Sequence, residues 1–393
     1  MFSSRVGQGL GRNRIAIAIE QRRAAHLPIV DLTESNPTSV GISYPAGLLR
    51  PLSAASARRY EPEPFGLPLA RRAVSADFAR RGVTIAPERI ALTASTSEAY
   101  AFLFKLLCDP GDTVLAPRPS YPLVEHLTDL EGVGLEPYTL EFHGRWSVDS
   151  DQLREAIAIT NAKGKRARAI ILISPNNPTG MILQPDEISA VAALAGEHDL
   201  ALIADEVFAD YSLDGRSPAS AVGESAALTF GLGGMSKTVG LPQVKLGWIA
   251  VSGPNRLVDE ALARLETICD AYLSVSTPVQ IATPDLLRNG AAVRTQIQDR
   301  IRGNFERLRQ IARAHPSCSV LPAEGGWYGI VQVPAVKSEE TLVLELLART
   351  GILVHPGYFF DFDREAFLVM SLLPDTAVFS AAVETIFNES GRL

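Results

Sequence analysis

Lys237 stands in Gly233-Gly234-Met235-Ser236-Lys237-Thr238, directly after the apolar run Ala226-Ala227-Leu228-Thr229-Phe230. A lysine amine held at the end of a strand can attack a carbonyl and carry it covalently. Upstream, Asp205-Glu206-Val207-Phe208 follows a second apolar run, and Ser174-Pro175-Asn176-Asn177-Pro178-Thr179-Gly180 follows a third. An aspartate so placed can keep an aromatic ring nitrogen protonated, and an asparagine can bond a ring oxygen. An asparagine, an aspartate and a serine-lysine pair, in that order and each at a strand end, are what a pyridoxal 5'-phosphate site needs. Each has an ordinary alternative taken alone: a turn asparagine, a helix-capping aspartate, a surface lysine. A phosphate-binding P-loop is the rival for Gly231 to Thr238, but Ser236 stands where that loop requires glycine, and Asn177 and Asp205 have no role in it.

The elements that must position these residues are legible as alternating apolar runs and amphipathic stretches. Ile90–Thr93, Thr113–Ala116, Ala169–Ile173, Leu200–Ala204 and Val244–Val251 are predicted strands, and the β-branched run Ala169–Ile173 is the pattern of a strand buried on both faces. Helices are predicted from Ser97 to about Leu107 and over Pro185–Glu197, the latter with Asp186 and Glu187 in its first turn. This alternation implies a mostly parallel sheet whose ligands bind beyond the carboxyl ends of the strands. Beyond Thr277 the pattern changes to two helical stretches, Val279–Asn289 and Ala292–Ala314. A strand at Gly326–Val333, a helix at Glu339–Arg349 and a strand at Ile352–His355 follow. These form a second, smaller α+β unit, with which the first forty or so residues are expected to pack.

On Asn177, Asp205 and Ser236-Lys237, the chain resembles the class I/II aminotransferases, fold-type I pyridoxal-phosphate enzymes, nearly end to end. The resemblance implies an α/β fold: a large domain over 45–288 with a mostly parallel seven-stranded sheet flanked by helices, and a small domain built from 1–44 and 289–393. It implies transfer of an amino group from an amino acid to a 2-oxo acid. Lys237 would carry the cofactor as a Schiff base and then act as the base that moves a proton. Asp205 would pair with the pyridinium, Asn177 bond its phenolic oxygen, and Tyr121 stack on the ring. Ser95, Thr96 and Ser97, at a helix start, would cup the phosphate with help from Ser236. Tyr60 matches a tyrosine that reaches the neighbouring subunit's phosphate, which implies a homodimer with shared sites. Asn36 lies where the N-terminal loop approaches substrate, and Trp327 with Tyr328 is placed to wall the pocket.

Four positions depart from the family pattern. Phe208 stands where a tyrosine often donates to the phenolic oxygen, and Gly234 where a phosphate-binding serine is common. Lys245 replaces the phosphate arginine, and a lysine is a point charge that cannot grip phosphate with two parallel bonds. Val369, in Phe367-Leu368-Val369-Met370-Ser371-Leu372, falls where an arginine clamps the substrate α-carboxylate. Arg118 and Arg364 are the candidates to replace it. Because the same cofactor supports lyases, cyclases and decarboxylases, the missing arginine keeps those reactions open as alternatives. A non-catalytic cofactor-binding regulator is a further one, opposed by the retained Lys237 and the lack of any basic appended domain.

Bulk properties agree. At 393 residues the chain exceeds one ordinary core. Its formal charge of −7 offers no basic stripe for nucleic acid, and Lys163 to Arg168 is read as a solvated loop. Cys108, Cys269 and Cys318 are too few and too scattered for a disulfide framework. The six histidines form no metal motif, so no metal site is expected. No signal-peptide core and no bilayer-length apolar stretch are read, which makes the cytoplasm the expected location and membranes unexpected partners.

Overall fold

The computed structural model describes residues 2–6 and 11–390. Eight strands form the large sheet, in the order Ile90–Thr93, Gly247–Ser252, Thr229–Gly234, Ala201–Asp205, Ala167–Ile173, Thr113–Arg118, Gly134–Phe142, Trp146–Val148. The strands from Thr229–Gly234 to Gly134–Phe142 pair in parallel, and antiparallel pairings lie toward both edges. The expected seven strands become eight because Trp146–Val148 turns back on Gly134–Phe142 as a short hairpin. Along Ala167–Ile173 successive residues enter opposite cores: Ile170 and Leu172 join one cluster, Ala169, Ile171 and Ile173 the other. That is the period-two consequence of a strand covered by helices on both sides.

Helix Pro185–Glu197 lies where the sequence places it, closed by a capping box in which Glu187 bonds the Gln184 N–H. The predicted strand Val244–Val251 starts later, at Gly247. Pro242–Val244 forms a single helical turn, and Lys245 takes a left-handed φ of 57°, which no extended strand can contain. Helices Pro68–Arg80 and Asn255–Tyr272 were not anticipated.

A second sheet of four antiparallel strands orders Ser319–Val320, Tyr328–Gln332, Phe367–Ser371 and His355–Pro356. The N-terminal segment joins this part of the molecule, with Val30–Asp31 pairing in parallel with Ile352–Leu353. No helix among the described residues is long and apolar enough to cross a membrane.

Candidate active site

Three neighbouring parallel strands end close together, Ile173 beside Asp205 and Asp205 beside Leu232, the last strand running two residues on to Gly234. Just past these ends come the Asn177 loop, Asp205 itself and the short helix Met235–Thr238 that carries Lys237. The glycines before Lys237 are strand, not an anion-binding loop. A side chain at Gly233 would collide with the Trp248 indole, its Cβ 2.5 Å from Nε1. The Tyr211 hydroxyl donates to the Lys237 carbonyl at 2.6 Å and fixes that helical turn. In the asparagine loop, Asn176 Oδ1 accepts from the Thr179 hydroxyl at 2.8 Å. Gly180, at φ +70°, lets the loop dock against Ala323 and Gly325, where a Cβ would come within 2.7 Å of the Gly325 carbonyl oxygen.

A cavity of about 440 Å³ opens over these strand ends. It is lined by Asn36, Ser95, Thr96, Ser97, Tyr121, Ser236, Lys237 and Lys245, together with Ser35 and Val207. Ser95 caps helix Thr96–Leu107, its hydroxyl accepting the Glu98 N–H at 3.1 Å while Glu98 bonds back to the Ala94 N–H. That hydroxyl keeps its own proton to donate. The first amides of the helix have no partner inside it and open toward the cavity wall. The backbone passes so close here that a Cβ at Gly247 would sit 3.0 Å from the Thr96 nitrogen. Lys245 reaches the cavity from a left-handed backbone, at φ 57°. Asn36 spends its side-chain oxygen on the Thr38 N–H and hydroxyl and its amide on Ser39.

Asp205 is tied on both oxygens, Oδ2 accepting from the Tyr100 hydroxyl at 3.0 Å and Oδ1 from the Val207 N–H at 3.2 Å. Burial pushes its carboxyl up to about 6, against the opposing pull of those hydrogen bonds and of Lys237. Burial likewise lowers the Lys237 ammonium to about 8, with the Asp205 charge working the other way. Lys237 Nζ rests 4.5 Å from the centre of the Trp327 ring and 5.4 Å from that of Phe208. Trp327 is fully buried against Phe208 and Tyr211, so it backs the lysine from beneath instead of lining the cavity. Asn177 is buried and its Oδ1 has no partner.

Three of the residues singled out in the sequence lie elsewhere. Arg118 and Arg364 share a separate cleft with Asp361 and Trp146. Arg118 is held there by Asp361 at 3.6 Å, and Arg364 lies over the Phe367 ring. Tyr60, 68% exposed, lines a surface cleft with Glu63 and Val275. Tyr100 was missed. It lies beside Phe104 on a helix with apolar residues on most sides, and nothing local separates it from a core aromatic.

Fold and site together define a fold-type I transferase: a mostly parallel sheet, a smaller second sheet, and a lysine and an aspartate at adjoining strand ends. The sequence model of the family "Aminotransferase class I and II" matches residues 47–386. The chain belongs to that family and is an aminotransferase. It is 26% identical over 364 residues to the valine–pyruvate aminotransferase of Mycobacterium tuberculosis, covering 88% of this chain and 87% of that one. It is 29% identical over 351 residues to the aspartate/prephenate aminotransferase of Thermus thermophilus, covering 87% and 86%. The solved structure of alanine aminotransferase from Pyrococcus furiosus superposes with a TM-score of 0.89 at 22% identity, over 100% of both chains.

Proposed function

We propose that the cavity holds pyridoxal 5'-phosphate and that the enzyme moves an amino group from a small apolar amino acid, such as alanine or valine, to a 2-oxo acid. The observation that carries this reading is the convergence of Asn177, Asp205 and Lys237 at three neighbouring strand ends, with Lys237 in the wall of the cavity beyond them. The residues fit the cofactor: a buried asparagine with an unused oxygen, a carboxylate at a strand end, and two lysines and a helix N-terminus in the cavity wall. Valine–pyruvate and alanine aminotransferases among the relatives support the donor class.

The amides of Thr96 and Ser97, the Ser236 hydroxyl and Lys245 would bind the phosphate, Lys245 by charge alone. Asp205 would keep the ring nitrogen protonated, Asn177 would hold the ring oxygen, and Tyr121 would cover the ring face and exclude water. Bound there, the cofactor supplies an electron sink for the carbon that bears the amino group. Lys237 Nζ, buried and with its proton affinity lowered, would take the proton from that carbon and return it on the other side of the transfer. We further propose a homodimer, in which the exposed Tyr60 reaches the site of the partner subunit. A division into domains at 45–288 and at 1–44 with 289–393 is supported by the pairing of Val30–Asp31 with Ile352–Leu353. Three cysteines without disulfides suit a reducing cytoplasm.

The test is a single-turnover reaction of the purified enzyme with one amino acid and no acceptor. Conversion of the cofactor to its aminated form, with release of the matching 2-oxo acid, is the expected result. Release of ammonia, carbon dioxide or a side-chain fragment instead would make it a lyase or decarboxylase.

Tyr100 acts through Asp205, because a hydrogen bond to a carboxylate stabilises its charged form. Tyr100→Phe is expected to weaken cofactor retention roughly tenfold, with secondary structure unchanged. Equilibrium dialysis against free cofactor, with circular dichroism as the folding control, measures both. Unchanged retention would reduce Tyr100 to a packing residue.

A further inference from the structure

The cleft that Arg118 and Arg364 share holds about 490 Å³, within the roughly 300–1,000 Å³ of small-molecule sites. None of its lining residues lines the Lys237 cavity. Four aromatic rings run through its wall. Phe142 meets Trp146 at 5.0 Å between ring centres, Trp146 meets Phe362 at 6.1 Å, and Phe362 meets Phe367 at 4.7 Å. The row crosses from the edge hairpin of the large sheet to strand Phe367–Ser371 of the smaller one. Trp146 is 8% exposed, and its indole N–H has no acceptor. An indole can only donate, so a buried, unmet N–H among the lining residues calls for an acceptor that a ligand would bring.

The charged groups of the cleft pair off incompletely. Arg118 and Asp361 stand 3.6 Å apart, and His143 meets Glu141 at 2.9 Å. Asp363 and Arg364 are left over, neither with an ion-pair partner among the described residues. Arg364 lies instead over the Phe367 ring, 5.6 Å from its centre. A guanidinium fork suited to a carboxylate and a carboxylate suited to an ammonium thus stand at successive positions beside an aromatic wall. A dicarboxylate would meet the field of Glu141, Asp361 and Asp363, and a simple monocarboxylate would leave Asp363 without a counter-charge. A zwitterion answers both free groups.

We propose that this cleft is a second binding site, for a free amino acid with a large apolar side chain. The ligand's carboxylate would take the Arg364 fork and the Trp146 N–H, its ammonium would face Asp363, and its side chain would join the aromatic row. The site holds whatever occupies the Lys237 cavity, because the two share no lining residue. They are nevertheless close along the chain: Arg118 and Pro119 line the cleft, and Tyr121 lines the cavity.

The experiment titrates L-phenylalanine into the full-length holoenzyme by calorimetry, after the Lys237 cavity has been closed with aminooxyacetate. One site with a Kd on the order of 1 mM or tighter is expected. 3-Phenylpropionate, which lacks the ammonium, and phenethylamine, which lacks the carboxylate, should each bind about tenfold more weakly or worse. Arg364→Ala and Asp363→Asn should each weaken L-phenylalanine by about tenfold, and both side chains are exposed, so the fold is kept. Fluorescence locates the site: Trp146 emission should change on binding, and Trp146→Phe should abolish the change, because Trp248 and Trp327 are buried elsewhere. Absence of binding at about tenfold that concentration overturns the proposal. Binding that neither Arg364→Ala nor Asp363→Asn weakens overturns it too, by placing the ligand outside the cleft. 3-Phenylpropionate binding as tightly as L-phenylalanine removes the role of Asp363 and overturns the amino-acid assignment.

Discussion

Lys237→Ala is expected to lower amino transfer from L-alanine to a 2-oxo acid by roughly 10²–10⁴-fold or more, while the fold is kept. The lower bound is what a positioned general base contributes, and covalent holding of the cofactor adds to it. Removing the side chain should cost little stability, because partial burial over Trp327 and Phe208 already disfavours its ammonium. A single assay separates the two roles of the residue. Borohydride treatment of the native holoenzyme should fix the cofactor's mass to a peptide containing Lys237, and the variant should retain none. Supplying a small free amine should restore part of the proton transfer but none of the attachment. A variant with native turnover would remove the central premise of the site.

Asp205→Asn has the second-largest expected effect, and it separates function from stability. The amide cannot keep a ring nitrogen protonated, and turnover should fall by roughly 10²–10³-fold or more, as for loss of one preorganised electrostatic group. The cofactor-free protein should nevertheless become more stable near neutral pH. The Asp205 carboxyl is raised from 3.8 to about 6, so between those values the folded chain keeps a proton the unfolded chain has lost. Stability therefore falls as pH rises from about 4 to 6. Lys237 is lowered from 10.5 to about 8, so the unfolded chain binds the extra proton between 8 and 10.5, and stability rises with pH there. The pair thus contributes a minimum of stability between about 6 and 8. Relieving a shift of this size is worth up to about 3 kcal/mol. Thermal melts of cofactor-free native and Asp205→Asn protein across pH 4 to 10 measure the difference, which should vanish in acid, grow between pH 4 and 6 and persist above it. A melting temperature for Asp205→Asn below the native value at pH 7 would contradict the burial argument. Adding cofactor should raise the native protein's melting temperature more than the variant's, because only the carboxylate gains a charged partner.

Much of this was readable along the chain, for reasons tied to particular residues. Asn177, Asp205 and Lys237 each follow a buried strand within a few residues, and a β-branched run such as Ala169–Ile173 advertises such a strand without help from the rest of the fold. Helix Pro185–Glu197 is announced by its own proline, acidic first turn and capping box. Asn255–Tyr272 is equally legible, since Val258, Ala261, Leu265 and Cys269 recur at helical spacing with charges between them, and it was passed over. The Val244–Val251 run misled because an apolar composition says nothing about the left-handed backbone of Lys245.

Sequence by itself determined the family, the cofactor-site motifs and their order, because each motif is a local pattern whose chemistry and turn geometry are set within a handful of residues. Tertiary structure alone decided which distant groups meet. Tyr100 and Asp205 are 105 positions apart, yet they share a hydrogen bond that tunes the carboxylate at the strand end. Arg118 and Arg364, chosen by type and neighbourhood, turned out to face another cleft. Residue type records what a side chain can do, but the packing of helices and sheets sets the distances, burial and fields that select what it does.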